Sequence, residues 1–109
     1  MGVRIAKAHT NARGFTHAGL IAALADNAMG YSCGQATGWT TSYVTISLAV
    51  DYLGSGRIGQ WLTAEGEVLK TGSTVCFAQS LIKADDVVIA RANATFRVVP
   101  KPKEWPTPE

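Results

Sequence analysis

From His17 to about Gln35 the chain is rich in alanine and leucine and free of proline, and between Ala18 and Tyr31 its only polar residues are Asp26 and Asn27. Such a run predicts a helix, with Thr16 placed to cap its first turn. It also predicts an unusual one. A surface helix carries a single apolar stripe, whereas a helix that is apolar almost all round is buried on every side. A chain of 109 residues has room for one domain, so the segments after this helix must be what covers it.

Those segments change period. Residues 3–8 are β-compatible, and a polar, glycine-containing loop spans 9–16. After Gly38, Val44, Ile46, Leu48, Val50 and Tyr52 alternate with Thr45, Ser47, Ala49 and Asp51, the period-two pattern of a strand. "GSGRIG" makes a turn, and Leu62, Ala64 and Val68 then alternate with Thr63, Glu65 and Glu67. After "KTGST", Val75, Phe77, Gln79 and Leu81 oppose Cys76, Ala78, Ser80 and Ile82. "KADD" closes a hairpin into residues 87–99, where Val88, Ala90, Ala92, Ala94, Phe96 and Val98 face one way and Arg91, Asn93, Thr95 and Arg97 face water. The expected class is α+β: one buried helix followed by four antiparallel strands, with the sheet wrapping its apolar face around the helix. The domain is expected over 1–99, and the proline-rich tail 100–109 is expected to be extended or disordered.

Composition narrows the partners. The formal net charge is only +2, and no cluster of lysines and arginines forms a nucleic-acid footprint. No stretch approaches a membrane span, and the N-terminus "MGVRIAKAHT" lacks the apolar run of a signal peptide. A soluble, cytoplasmic chain is expected. Cys33 and Cys76 share no metal or redox spacing and are expected to be reduced, buried thiols. With 47% hydrophobic and 17% charged residues, a chain this small has surface to hide, which favours a homo-oligomer.

Two short motifs mislead. "GYSCG" at 30–34 fits the serine-hydrolase pattern G-x-S-x-G, but that pattern needs a strand before the serine and here a helix precedes it. "GSGRIG" at 54–59 fits G-x-G-x-x-G, yet a strand rather than a helix follows, so a hairpin turn is expected instead of a dinucleotide site.

Asp26 lies away from the Leu20, Leu24 and Tyr31 side of the helix, and its neighbours one turn off are Ala22, Ala23, Met29 and Gly30. A carboxylate on a face of small residues lets another chain or a substrate come close. Partial burial raises a carboxylate's proton affinity, which suits a base or nucleophile. The ordinary alternative is the solvent edge of an amphipathic helix. Ahead of it, Asn11 offers a side-chain amide and Gly14 a tight turn. His17, Ala18 and Gly19 sit in the first helical turn, where backbone N–H groups lack intrahelical partners and can receive an oxyanion. Asn11 as a plain loop residue and His17 as a cap are the ordinary readings of those two.

Taken together, Asn11–x–x–Gly14–x–x–His17–x–Gly19 with Asp26 seven residues after Gly19 resembles the signature of PaaI-like hotdog-fold thioesterases. "TISLAVDYL" resembles that family's central strand, "VLKTGSTVCFAQSLI" its next hairpin and "VIARANATFRVV" its closing strand; the likeness covers residues 3–99. The resemblance implies a helix wrapped in an antiparallel sheet, homodimers paired edge to edge and often dimers of dimers. It implies hydrolysis of acyl-CoA thioesters at the dimer interface, with no cofactor or metal. In that scheme Asp26 is the general base or nucleophile, and Asn11, from the opposite subunit, positions the water or thioester. The Ala18 amide, with His17 beside it and Gly19 following, polarises the carbonyl, and Thr45 orients the attacking water.

Two features depart from the family. His17-Ala18-Gly19 stands where His-Gly-Gly is usual, which adds a methyl where the thioester approaches. The chain also starts close to the first strand, as in a compact or truncated member, leaving one wall of the acyl pocket open. The other functions weighed are an acyl-CoA binder without turnover and a hotdog dehydratase using His17 with an acid. Retention of Asn11 and Asp26 favours the hydrolase. The acyl group is not legible: Tyr52, Trp61 and Phe77 suggest only packing, and Arg57, Lys70 and Arg91 only a mildly basic surface for the nucleotide.

Overall fold

A computed structural model describes residues 1–101. The order is β1 (Gly2–Arg4), a 3-10 turn (Lys7–His9), α1 (Ala18–Ala36), β2 (Thr41–Tyr52), β3 (Trp61–Thr71), β4 (Val75–Ala84) and β5 (Val87–Pro100). All strand pairs are antiparallel, in the spatial order β1-β3-β4-β5-β2. The sheet therefore has five strands rather than the expected four, because the short N-terminal segment pairs with β3. The last strand runs one residue past the expected boundary, to Pro100, and residues 102–109 of the tail lie outside the described ones.

The sheet curls round the helix as the alternation predicts. Leu62 and Ala64 of β3, Cys76, Ala78, Ile82 and Ala84 of β4, and Ala90, Ala92, Ala94 and Phe96 of β5 form one buried face. They meet Ile21, Leu24, Ala25, Ala28, Met29 and Cys33 of α1. The many alanines keep this face shallow, so the helix lies close to the strands. Gly66 marks the tightest approach: a Cβ there would overlap the Ser32 hydroxyl and come 2.6 Å from the Ala28 carbonyl oxygen. Gly66→Ala must push helix and sheet apart and is expected to cost about 1–3 kcal/mol, the range for an overpacked core. Chemical denaturation measures it as a lowered midpoint at unchanged slope.

Three expectations are corrected. The helix is not buried all round in a single chain: Ala23, Asn27, Tyr31 and Gln35 are exposed, because one curled sheet covers only one side of a cylinder. Thr16 is not the N-cap. His17 takes that position without a side-chain cap, since Thr16 is buried under the "GSGRIG" loop. There its N–H donates to the Gly56 carbonyl at 2.9 Å, and its hydroxyl has no partner among the described residues. Val88 does not share the face of Ala90. The ladder slips between Ile82 and Lys83, so Val88 stands opposite exposed-face Lys83 while Ile89 is buried.

A second slip matters more. On β2 the register passes from Thr45↔Phe96 to Ser47↔Thr95, leaving Ile46 as a bulge. Beyond it Leu48, Val50 and Tyr52 pair with the inward Ala94, Ala92 and Ala90. Before it the inward partners are Tyr43 and Thr45, opposite Val98 and Phe96. A bulge inserts one residue and re-aims the side chains next to it. The simple alternation, which put Thr45 with Ser47 and Ala49, holds only for the later half of the strand.

Strand β2 is also the sheet's edge rather than its centre. Val44, Ile46 and Leu48 along it are 54%, 58% and 36% exposed, a long apolar edge of the kind proteins normally cover or interrupt with charge.

Candidate active site

Because the bulge turns Thr45 inward, its hydroxyl reaches the helix and donates a 2.7 Å hydrogen bond to Asp26 Oδ1. The carboxylate is half-buried and is held by this contact rather than by a cation. The single ion pair among the described residues, Arg91 with Asp51 at 2.8 Å, lies on the outer face of the sheet. A carboxylate that is fixed, unpaired with a cation and open to a groove can take a proton or attack a carbonyl. The groove encloses about 520 Å³ and is lined by Asp26, Thr45, Gly30, Tyr31, Trp39, Tyr43 and Phe96 among others.

The remaining candidates cluster at the N-terminal end of the same helix, two turns before Asp26. Asn11 Oδ1 accepts the N–H groups of Arg13 (3.0 Å) and Phe15 (3.2 Å). That turn consumes the side-chain oxygen and leaves the amide NH₂ as the outward donor. The loop is clamped from outside by "GSGRIG", whose Arg57 bridges Phe15 and stacks its guanidinium 5.4 Å from that ring. The "GSGRIG" segment is not the expected hairpin turn, because the strands it joins, β2 and β3, are not neighbours in the sheet; it is a crossover that braces the helix entrance. His17 is exposed at the N-cap and donates its backbone N–H to the His9 carbonyl at 2.9 Å. Ala18 and Gly19 open the helix, where N–H groups have no carbonyl one turn back to bond.

Ala18 and Asp26 are eight residues apart on one helix, roughly 12 Å along its axis. Within one chain the structure thus brings Asp26 to Thr45, and Asn11 to the helix entrance beside His17, Ala18 and Gly19, without bringing the two groups together. The two groups are linked through β2. Tyr52 near its end donates its hydroxyl to the Ala18 carbonyl at 2.7 Å, a contact that the expectation of mere packing for Tyr52 missed. Trp39, Tyr43 and Phe96 were likewise unmarked as pocket walls, since nothing local in the sequence tells an aromatic wall from an aromatic core.

Three other nucleophiles are tied up. Ser32 of "GYSCG" lies inside α1 with its hydroxyl against the carbonyls of Ala28 and Gly66, each at 3.0 Å, as expected of a structural serine. Cys33 and Cys76 are fully buried; burial and then the adjacent Cys76 thiol push Cys33 up to about 12, so it stays a protonated thiol. Thr45→Val keeps the shape of the side chain and removes the hydrogen bond to the carboxylate. At 1.5–3 kcal/mol for a bond to a charged group, any reaction that needs a positioned carboxylate at Asp26 is expected to slow about 10- to 100-fold, with Thr45→Ser retaining most of the rate; steady-state kinetics on both variants measures this.

Known proteins share this architecture. The chain is 31% identical over 98 residues to PA0474, an inferred esterase of Pseudomonas aeruginosa, covering 90% of this chain and 73% of that one. The structure of smu.793 from Streptococcus mutans UA159, solved with acetyl CoA, aligns with a TM-score of 0.83 at 25% identity, over 94% of this chain and 81% of the other. The Escherichia coli PaaI protein of the phenylacetic acid degradation operon aligns with a TM-score of 0.82 at 21% identity, over 90% and 70%; that likeness concerns the fold. Residues 13–90, from the brace before the helix to the first residues of β5, match the family described as the thioesterase superfamily. With its helix wrapped in a curled antiparallel sheet, the chain belongs to the hotdog-fold thioesterase superfamily.

Proposed function

We propose that this chain hydrolyses acyl-CoA thioesters at a site built by two copies of itself. The observation that carries the proposal is the hydrogen bond from Thr45 to Asp26 in an open groove, with the free helix-entrance amides roughly 12 Å away on the same helix. Neither half suffices for a thioester, whose carbonyl carbon and oxygen must be met within about 3 Å of each other's partners.

A two-fold axis through the exposed edge of β2 supplies the missing half. Thr45 and Tyr52 lie on either side of Leu48 and Ala49. Because Ile46 is bulged out of the ladder, the midpoint between Thr45 and Tyr52 is Ala49, and antiparallel pairing of β2 with its copy about Ala49 sets Thr45, and with it Asp26, opposite the partner's Tyr52. Tyr52 in turn touches Ala18. An isologous contact of this kind makes two identical sites.

In each site Asp26 takes a proton from water, and the resulting hydroxide attacks the thioester carbon; direct attack by the carboxylate, followed by hydrolysis of the anhydride, uses the same residues. The Ala18 amide, at the positive end of the helix, holds the oxyanion with Gly19 adjacent. His17 borders the site, and the Asn11 amide orients the water or thioester. Collapse breaks the C–S bond, and the CoA thiolate leaves, taking the proton held by Asp26. The acetyl CoA bound by the Streptococcus mutans structure supports the choice of thioester. The chain works as a dimer, or a dimer of dimers, in an aqueous compartment; among the described residues no helix is long and apolar enough to cross a membrane. Release of free thiol from a panel of acyl-CoAs tests the proposal. A folded, dimeric protein that binds these esters and turns over none of them would be a binder instead.

A further inference from the structure

The groove beside Asp26 is lined, at the level of Gly34, by a tryptophan that is 46% exposed and held in an unfavourable backbone conformation. Trp39 has φ 62°, a left-handed geometry that is a genuine outlier for a bulky residue. Such strain persists only where the surroundings impose it, and here they do so at both ends of the residue. Its backbone N–H donates to the Gly34 carbonyl at 2.9 Å. Its indole lies on Gly34 so closely that a Cβ there would overlap the ring, and it meets Tyr31 edge-on with centroids 5.1 Å apart. The helix surface leading to it is bare. Asp26, Gly30 and Gly34 are spaced four residues apart and form one stripe of α1, and at Gly30 the absent side chain leaves the Phe96 ring about 3.7 Å from where a Cβ would sit. Tyr43 and Phe96, edge-on at 6.5 Å, form the opposite wall of the groove.

We propose that Trp39, seated in the notch at Gly34, is the residue that sets acyl size: it closes the acyl groove and restricts the enzyme to short or single-ring acyl groups. The inference rests on the thioesterase reading, which places the thioester carbonyl at Asp26. From the level of Asp26 to that of Gly34 the helix rises roughly 12 Å, so after allowing for contact distance an extended acyl chain meets the indole after about half a dozen carbons. Longer chains must displace a ring that is anchored by its backbone, by the glycine notch and by Tyr31.

The test is a series of kcat/KM values from acetyl- to dodecanoyl-CoA, with benzoyl-CoA included, for wild type, Trp39→Phe and Trp39→Ala. Wild type is expected to fall steeply beyond hexanoyl. In Trp39→Ala the decanoyl-to-hexanoyl ratio is expected to rise at least about 10-fold, within the range that a change in an apolar pocket can supply. That rise is expected mainly as a lowered KM for the long ester, with Trp39→Phe between the two. Gly34→Ala, which unseats the ring without removing it, is expected to shift the ratio the same way. Thermal melts identify any variant that fails to fold, and the remaining two then carry the comparison. Active variants that keep the wild-type length profile overturn the assignment of Trp39 and leave the thioesterase reading standing. Wild type that hydrolyses none of the series overturns both.

Discussion

Asp26→Asn is expected to lower kcat for thioester hydrolysis by about 10²–10⁴-fold, the contribution of a positioned acid–base group, with KM changed little. Asparagine preserves volume, and its side-chain oxygen still accepts the Thr45 hydroxyl bond that now fixes Asp26 Oδ1. What it cannot do is hold a proton taken from water or attack as an anion. Because the substitution removes charge and leaves the packing, the loss belongs in the chemical step rather than in binding or folding. Thiol release under saturating substrate, with a melting curve beside it, separates these. A variant with wild-type kcat would remove Asp26 from the chemistry.

Ile46→Lys is expected to convert the assembly to monomers and to lower hydrolysis by at least about 10²-fold, the order lost when catalytic groups are no longer held together. Ile46 is the bulged residue of β2 and is 58% exposed at the open edge. A lysine there is the device by which edge strands refuse a partner, and it costs little within the chain because the side chain already points to solvent. Nothing in the local contact between Asp26 and Thr45 is altered, so the activity is lost only if the oxyanion donors come from the second copy. Sedimentation velocity alongside kinetics reads both. A monomer with full activity, or a dimer unaffected by the lysine, would contradict the two-copy site.

How much of this was legible in the sequence depends on whether periodicity survives in the structure. The helix and the core faces of β3, β4 and most of β5 follow from it, because each keeps one phase and the buried residues Leu62, Ala78, Ala92 and Phe96 sit where the pattern places them. The bulges at Ile46 and Ile89 break phase without a glycine or proline to announce it, so the alternation around Thr45 and Val88 points the wrong way. Thr45 entered the candidate site through family resemblance, and its inward orientation is a property of the bulge. Burial of the helix failed for a different reason. An all-round apolar pattern reports every surface that a helix hides, including those hidden by other chains, whereas a single sheet hides one side. The left-handed Trp39 leaves no local mark at all: Gly38 before it predicts a helix end, and only the distant notch at Gly34 explains why an indole tolerates the conformation.

The most direct test of the account is complementation between two disabled chains. Asp26→Ala lacks the base and Asn11→Ala lacks the donor from the opposite copy, so each homodimer is expected to be nearly inactive. Unfolded together and refolded as a mixture, half of the dimers pair one chain of each kind, and every such dimer holds one intact site and one doubly damaged site. By the symmetry of an isologous dimer, the mixture should recover about a quarter of wild-type thioester hydrolysis. A mixture whose activity stays at the average of the two variants would mean that Asp26 and Asn11 do not meet across an interface, and the two-copy site would be wrong.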